Sequence, residues 1–232
     1  MIFLTFSPGK WWGTQSQNIE WLCHAVAVVI ADRVGGGQHV NPMVSVTMFS
    51  LGKVSYSEMY SRIGGSMAGG LLAFPLFLKF SESYNLVALG GPAFDGENSS
   101  DGDINEAFLN EFLAAFVLMI AIYVLNWELN FGKYHYWIKQ FLTAAVIRYC
   151  IVMFPSAGPA INPMLGTAWA VFDSGNMPLD AAHYVIYWVA SILGGIVSAI
   201  VYTIYAGGKV FGHSIPLGPI KDSGSNEKKK KS

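Results

Sequence analysis

Asparagine followed by proline occurs in two matched settings in this chain, Gln38-His39-Val40-Asn41-Pro42-Met43-Val44 and Pro159-Ala160-Ile161-Asn162-Pro163-Met164-Leu165. A lone Asn-Pro is an ordinary turn signal. Two copies of apolar-Asn-Pro-Met-apolar, each opening a short apolar stretch, form an internal repeat instead. Asn is among the best helix N-caps and Pro is favoured at the first helical position, so each triplet starts a helix. The Asn amide can offer N–H donors to a solute oxygen, and each helix start adds roughly half a positive charge. Such a pair can hold a neutral solute and repel cations with no covalent step. Other chemistry finds little footing. No Ser–His–Asp or paired-carboxylate arrangement falls on one face, and no Cys/His spacing suggests a zinc site, so no metal and no cofactor are expected. Gly35-Gly36-Gly37 lacks the strand before it and the Lys-Ser/Thr after it that a phosphate loop requires. The chain does not read as an enzyme.

The elements that must carry these triplets lie in lipid. Of 232 residues, 53% are hydrophobic and only 12% charged, against about 25% charged in a soluble domain. The net charge of −1 argues against a nucleic-acid partner held by a basic face. Five apolar stretches approach the length of a bilayer span: Ile19–Val34, Gly64–Leu78, Ala107–Leu125, Trp137–Phe154 and Tyr184–Ala206. Between them, the helices begun at Pro42 and Pro163 are expected over about 42–51 and 163–172, about 9 residues each past the proline and ~13 Å long. Each is half a membrane thickness. Lys53, Arg62, Lys133, Lys139 and the tail run Lys228–Lys231 fall on alternate connections, whereas 81–105 holds Glu82, Asp95, Glu97, Asp101 and Asp103 with no Lys or Arg. The basic side is cytoplasmic by the positive-inside rule, so the two half-helices enter from opposite faces and meet at the midplane, an inverted-repeat transport architecture.

The paired Asn-Pro-Met motifs, their spacing, and Asn105–Phe112 leading into a span that carries Glu111 resemble the major intrinsic protein (aquaporin) family, over Trp21 to Ala206. Within it, Gly158-Pro159-Ala160-Ile161-Asn162-Pro163 followed by Trp169-Ala170, and His183-Tyr184-Val185-Ile186-Tyr187-Trp188, are most similar to the unorthodox intracellular branch, the plant small basic intrinsic proteins and animal superaquaporins. The resemblance implies an all-α membrane protein, an aquaporin-like inverted repeat with two re-entrant half-helices. It implies a homotetramer in membrane lipid that passes water and/or small uncharged solutes of the glycerol, urea or peroxide class. The family has six spans, so the five here leave its first span expected to be missing, with 1–18 an N-terminal stub, 19–207 one channel domain and 208–232 a cytoplasmic Lys-rich tail. Lys229-Lys230-Lys231-Ser232 resembles a dilysine retrieval signal, which favours the endoplasmic reticulum over the plasma membrane.

Carried over residue by residue, the pore centre is Asn41, Pro42, Met43, Asn162, Pro163 and Met164. Met43 and Met164 replace the usual alanines, and either narrow the pore or fill space between the half-helices; filling is favoured. Family filter positions fall on Trp21, Cys150, Pro159 and Leu165, the last replacing an arginine. Arg148 is the possible substitute, since an ionisable residue inside a span is a functional hypothesis by default. At 100° per residue it points about 200° from Cys150, so both cannot line one narrow stripe. Glu111 resembles the family's buried glutamate that accepts hydrogen bonds from the re-entrant loop, and His39 a residue that donates into the motif loop. His24, on an apolar face, reads as a satisfied interior group. The Met-bulked triplets, the lost arginine and the missing span support an alternative, a non-conducting membrane adaptor built on a channel fold; a coupled transporter would want midplane carboxylates, for which only Glu111 and Asp32 are near enough.

Overall fold

The structure, a computed structural model, describes residues 17–36, 39–85, 91–96, 98–217 and 219–221. Most of the stub and the Lys228–Lys231 run therefore lie outside the described residues. Helix α1 spans Gln17–Gly35, half-helix α2 Pro42–Ser50 and α3 Tyr56–Ser83. Helix α4 spans Asp101–Glu128, its last turn a π turn at Val124–Glu128. Then come α5 at His135–Met153, half-helix α6 at Pro163–Ser174, and α7 at Ala181–Ala206, which carries a π turn over Val185–Ala190. A hairpin of β1 (Lys209–Val210) and β2 (His213–Ser214) follows.

Caps explain why the helices outrun the apolar stretches that announced them. Ser55 accepts from Glu58 N–H at 3.2 Å and starts α3 well before Gly64. Ser100 and Asp103 form a reciprocal capping box at the start of α4, and Asp180 accepts from Ala182 N–H at 2.9 Å at the start of α7. These polar first turns hold N–H groups that have no intrahelical partner. By length and composition three of the described helices, α3, α4 and α7, are long and apolar enough to cross a membrane. Helices α1 and α5, at 19 residues each, are more polar, carrying Asp32 and Arg33, and Lys139 and Arg148. Rows of large apolar side chains face outward, Leu22, Val26 and Ile30 on α1 and Leu72 and Leu76 on α3, as lipid contact requires.

Helices α1, α2 and α3 are echoed in order by α5, α6 and α7, and the two sets interlock. Helix α1 packs on α5, α2 on α7 and α6 on α3. Glycines set the closest approaches. A Cβ on Gly194 of α7 would strike the Phe112 carbonyl of α4, with Ala115 Cβ 3.1 Å away. Small residues at such crossings let backbones meet where lipid supplies no hydrophobic drive.

The first part of the expected tail is folded. The hairpin and the 219–221 segment are folded against the helices, with Ile220 N–H donating to Ile204 O at 3.2 Å and Lys221 N–H to Tyr205 O at 2.9 Å. These bonds fill the last carbonyls of α7, which need partners wherever that helix ends.

Candidate functional site

Each asparagine caps its own half-helix and reaches for the other. The Asn41 side-chain oxygen accepts from Met43 N–H at 3.0 Å, and that of Asn162 from Met164 N–H at 3.1 Å. Both sit in extended backbone, and Pro42 and Pro163 fill the first helical positions. The Asn41 amide donates to Ile161 O at 2.8 Å, and the Asn162 amide to Val40 O at 3.2 Å. Each therefore serves the carbonyl just before its counterpart. One amide hydrogen of each remains for another acceptor, since a side-chain amide carries two.

Glu111 holds the loop that delivers Asn162. It is 1% exposed, and its two oxygens accept from Ala160 N–H at 2.8 Å and Ile161 N–H at 2.9 Å, with Ser191 O–H donating at 3.2 Å. Ile161 carries φ +52, a left-handed backbone that a β-branched residue adopts only under constraint. The constraint is visible: Glu111 grips its N–H and Asn41 its carbonyl. Tyr187 O–H adds a bond to Ala157 O at 2.6 Å.

A cavity of about 650 Å³ runs past both asparagines. At one end its wall includes Asp32, Lys139 and Gln140; at the other, Arg148, Pro159 and Leu165. Asp32 Oδ2 accepts from Tyr136 O–H at 2.7 Å and Gln140 Nε2 at 2.6 Å, and Lys139 Nζ donates to Asn126 Oδ1 at 2.7 Å. His24 and His39 also line it, each with a buried Nδ1 that has no hydrogen-bond partner among the described residues. Neither Nδ1 bonds the motif loops among the described residues.

The expected filter positions divide. Pro159 and Leu165 line the cavity, and so does Arg148. Cys150 does not: it is fully buried on the other face of α5, its thiol directed to Ala114 O at 3.7 Å. Helical phase decides this, because Ile147, Arg148 and Ile151 share the cavity-facing side and leave Cys150 turned toward α4. Trp21, with a buried Nε1, also lies away from the cavity wall among the described residues.

The two methionines occupy glycine notches on helices of the opposite half. Met43 sits against Gly195 of α7, where an added Cβ would lie 3.0 Å from its sulfur, and Met164 against Gly70 of α3. Met43 is wholly buried among Leu118, Met119 and Ala115, whereas Met164, packed on Phe74 and Trp169, also touches the cavity. Sequence reasoning missed the Ile161 backbone, the Asp32–Tyr136–Gln140 cluster and the glycine notches. Only the repeated glycine pairs, Gly69-Gly70 and Gly194-Gly195, gave any signal of the last.

Two re-entrant half-helices, capped by asparagine and joined across one cavity, define the architecture, and the comparisons agree with it. The chain belongs to the major intrinsic protein family, whose profile matches residues 12–202. It is similar to aquaporin SIP1-1 of Arabidopsis thaliana, 28% identical over 136 residues that cover 58% of this chain and 51% of the relative. The chain thus spans about half the length of that relative. Probable aquaporin SIP1-2 of Arabidopsis thaliana is 26% identical over 75% of this chain and 69% of its own length. Human aquaporin-9 is 22% identical, with 84% and 70% covered. Among solved structures, the aquaglyceroporin from Plasmodium falciparum shares the fold with a TM-score of 0.63 at 18% identity, covering 79% of this chain and 78% of that one. The protein is a multi-pass integral membrane protein.

Proposed function

We propose that the chain is a passive transmembrane channel for water and/or small uncharged solutes of the glycerol, urea or peroxide class. The observation that carries this reading is the reciprocal pair of asparagine bonds in the wall of a single cavity. Two helix N-termini brought together raise the local potential and disfavour cations. The remaining amide hydrogens of Asn41 and Asn162 supply oriented donors for a solute oxygen. Pro42 and Pro163 start the half-helices that present these donors, Met164 borders the cavity, and Met43 packs behind it. Pro159, Leu165 and Arg148 form the narrowing toward the 158–161 loop, with the Arg148 guanidinium in place of the arginine that Leu165 displaces. Glu111 supports the loop that carries Asn162, and His39 flanks the other loop from the cavity wall.

In this reading α1 and α5 cross the bilayer with α3, α4 and α7, since His24, Asp32, Lys139, Gln140 and Arg148 face the cavity and Arg33 lies in the last turn of α1 over the Tyr136 ring. A homotetramer in the endoplasmic reticulum membrane completes the proposal, on the family's habit of assembly and on Lys229-Lys230-Lys231-Ser232. Reconstitution of the full chain in liposomes, with stopped-flow light scattering after water and glycerol gradients, tests the channel. Permeability above that of empty liposomes, lost on Asn162→Ala in protein that still folds, is the expected result. A flat trace for the native chain returns the reading to a non-conducting adaptor.

A further inference from the structure

A helix leaves four carbonyls at its C-terminal end without intrahelical partners, and α2 satisfies its own in an uneven way. Three are met locally, Thr47 O by Leu51 N–H at 3.2 Å, Met48 O by Lys53 N–H at 2.9 Å and Phe49 O by Gly52 N–H at 2.9 Å. The fourth, Ser50 O, is met from far along the chain, by Phe211 N–H at 2.6 Å. At the end of the other half-helix the bonds are local, with the Asn176 side-chain amide donating to Ser174 O at 3.3 Å. Gly175, at φ +76, closes α6 with its own N–H on Val171 O at 2.9 Å.

Phe211 is the first turn residue of the β1–β2 hairpin, in which Lys209 pairs with Ser214 and Val210 with His213. Both turn residues have positive φ, +49 at Phe211 and +79 at Gly212. Turns of this kind favour Asn-Gly, and a bulky aromatic residue in the first position is a backbone outlier. Such outliers persist where the surroundings over-determine them. Here the N–H is committed to Ser50, and the Phe211 ring meets Phe49 of α2 edge-on at 6.3 Å between centroids. Phe49 in turn meets Tyr56, the first residue of α3, at 6.0 Å. Val210 is buried beneath the turn. The joint between α7 and the hairpin is Gly207-Gly208, at φ +82 and +117, and beyond the hairpin Lys221 Nζ reaches Glu128 at 2.6 Å.

We infer that the hairpin Lys209–Ser214 is a strap that fixes half-helix α2, with Phe211 as the positioning residue that holds Asn41 in register. The half-helix has 9 residues, short enough to move as a rod, so the grip on Ser50 and Phe49 at one end acts together with the Asn41–Ile161 bond and the Gly195 notch at the other. The effect on permeation rests on the channel reading; the positioning of Asn41 does not.

Phe211→Asn separates this role from that of an ordinary turn. It keeps the N–H, supplies the residue the turn favours and removes only the ring. Phe211→Tyr keeps the ring. With the full chain in lipid vesicles, hydrogen exchange is read at the Met43 and Ser45 amides, both bonded to Asn41, and water permeability is measured alongside. The expected result for Phe211→Asn is exchange faster by about tenfold at those amides with altered permeability, and recovery in Phe211→Tyr. Unchanged exchange with a raised melting temperature would overturn the strap, because the hairpin would then be a turn and nothing more. Faster exchange in vesicles that never conducted, native chain included, would uphold the strap and remove the channel reading. Should Phe211→Asn fail to fold, Phe49→Leu removes the same ring contact from the α2 side and is read in the same way.

Discussion

Met43 and Met164 occupy matching places in the two motifs but not matching surroundings. Both fill a glycine notch, yet only Met164 touches the cavity. Replacing a buried methionine by alanine typically costs 2–5 kcal/mol, about what each site should lose. Met164→Ala is therefore expected to lower the melting temperature and to admit larger solutes, whereas Met43→Ala lowers the melting temperature with size selectivity unchanged. Equal permeability changes in both variants would contradict this assignment. Glu111 offers a second prediction at the same scale. Glu111→Gln sets an NH2 group against one of two backbone N–H donors, leaving a buried clash of donors that costs about 1–3 kcal/mol. Thermal unfolding in detergent should show that loss, and Ser191→Ala, which removes only a third bond, should show less.

Helix crossings obey the same logic one level up. Gly194 has no room for a Cβ against the Phe112 carbonyl, while Gly64, Gly65 and Gly69 of α3 have nothing within 4 Å. Gly194→Ala should push α7 off α4 and destabilise by about 1–3 kcal/mol, whereas Gly69→Ala should be neutral or gain up to about 1 kcal/mol from helix propensity. Melting curves of the two variants side by side test the pair. At this scale the sequence was legible where one local signal decides. The Asn caps, the prolines after them and the apolar lengths announced both half-helices and the long helices, though polar first turns moved the starts of α3 and α4 outward. It was not legible where phase or distance decides. The family pattern put Cys150 at the cavity with Arg148 as its possible substitute; the 100° step showed that both could not line it, and the fold set Arg148 there. Hairpin strands of two residues have no alternation to read, and nothing near Ser50 announces a partner at Phe211.

Across the whole molecule the halves are held by interlocking rather than by a single interface. Asp32 ties α1 to α5 through two donors one helical turn apart, Tyr136 and Gln140. Asp32→Ala would strand both and should weaken that seam by about 1–3 kcal/mol, detectable as earlier proteolysis or melting. Lys221→Ala, by contrast, breaks a pair with Glu128 whose Lys221 side is half exposed, and should leave the melting temperature almost unchanged. The bonds at the centre carry a consequence of another kind. Because Asn41 serves the carbonyl before Asn162, and Asn162 the carbonyl before Asn41, each motif displays the surface that the other one needs. A motif of this sort is complementary to itself. Two identical copies of either half, turned about a twofold axis, could make the same two bonds, as any isologous contact does. The joint in this chain has the form of a dimer interface written into one polypeptide.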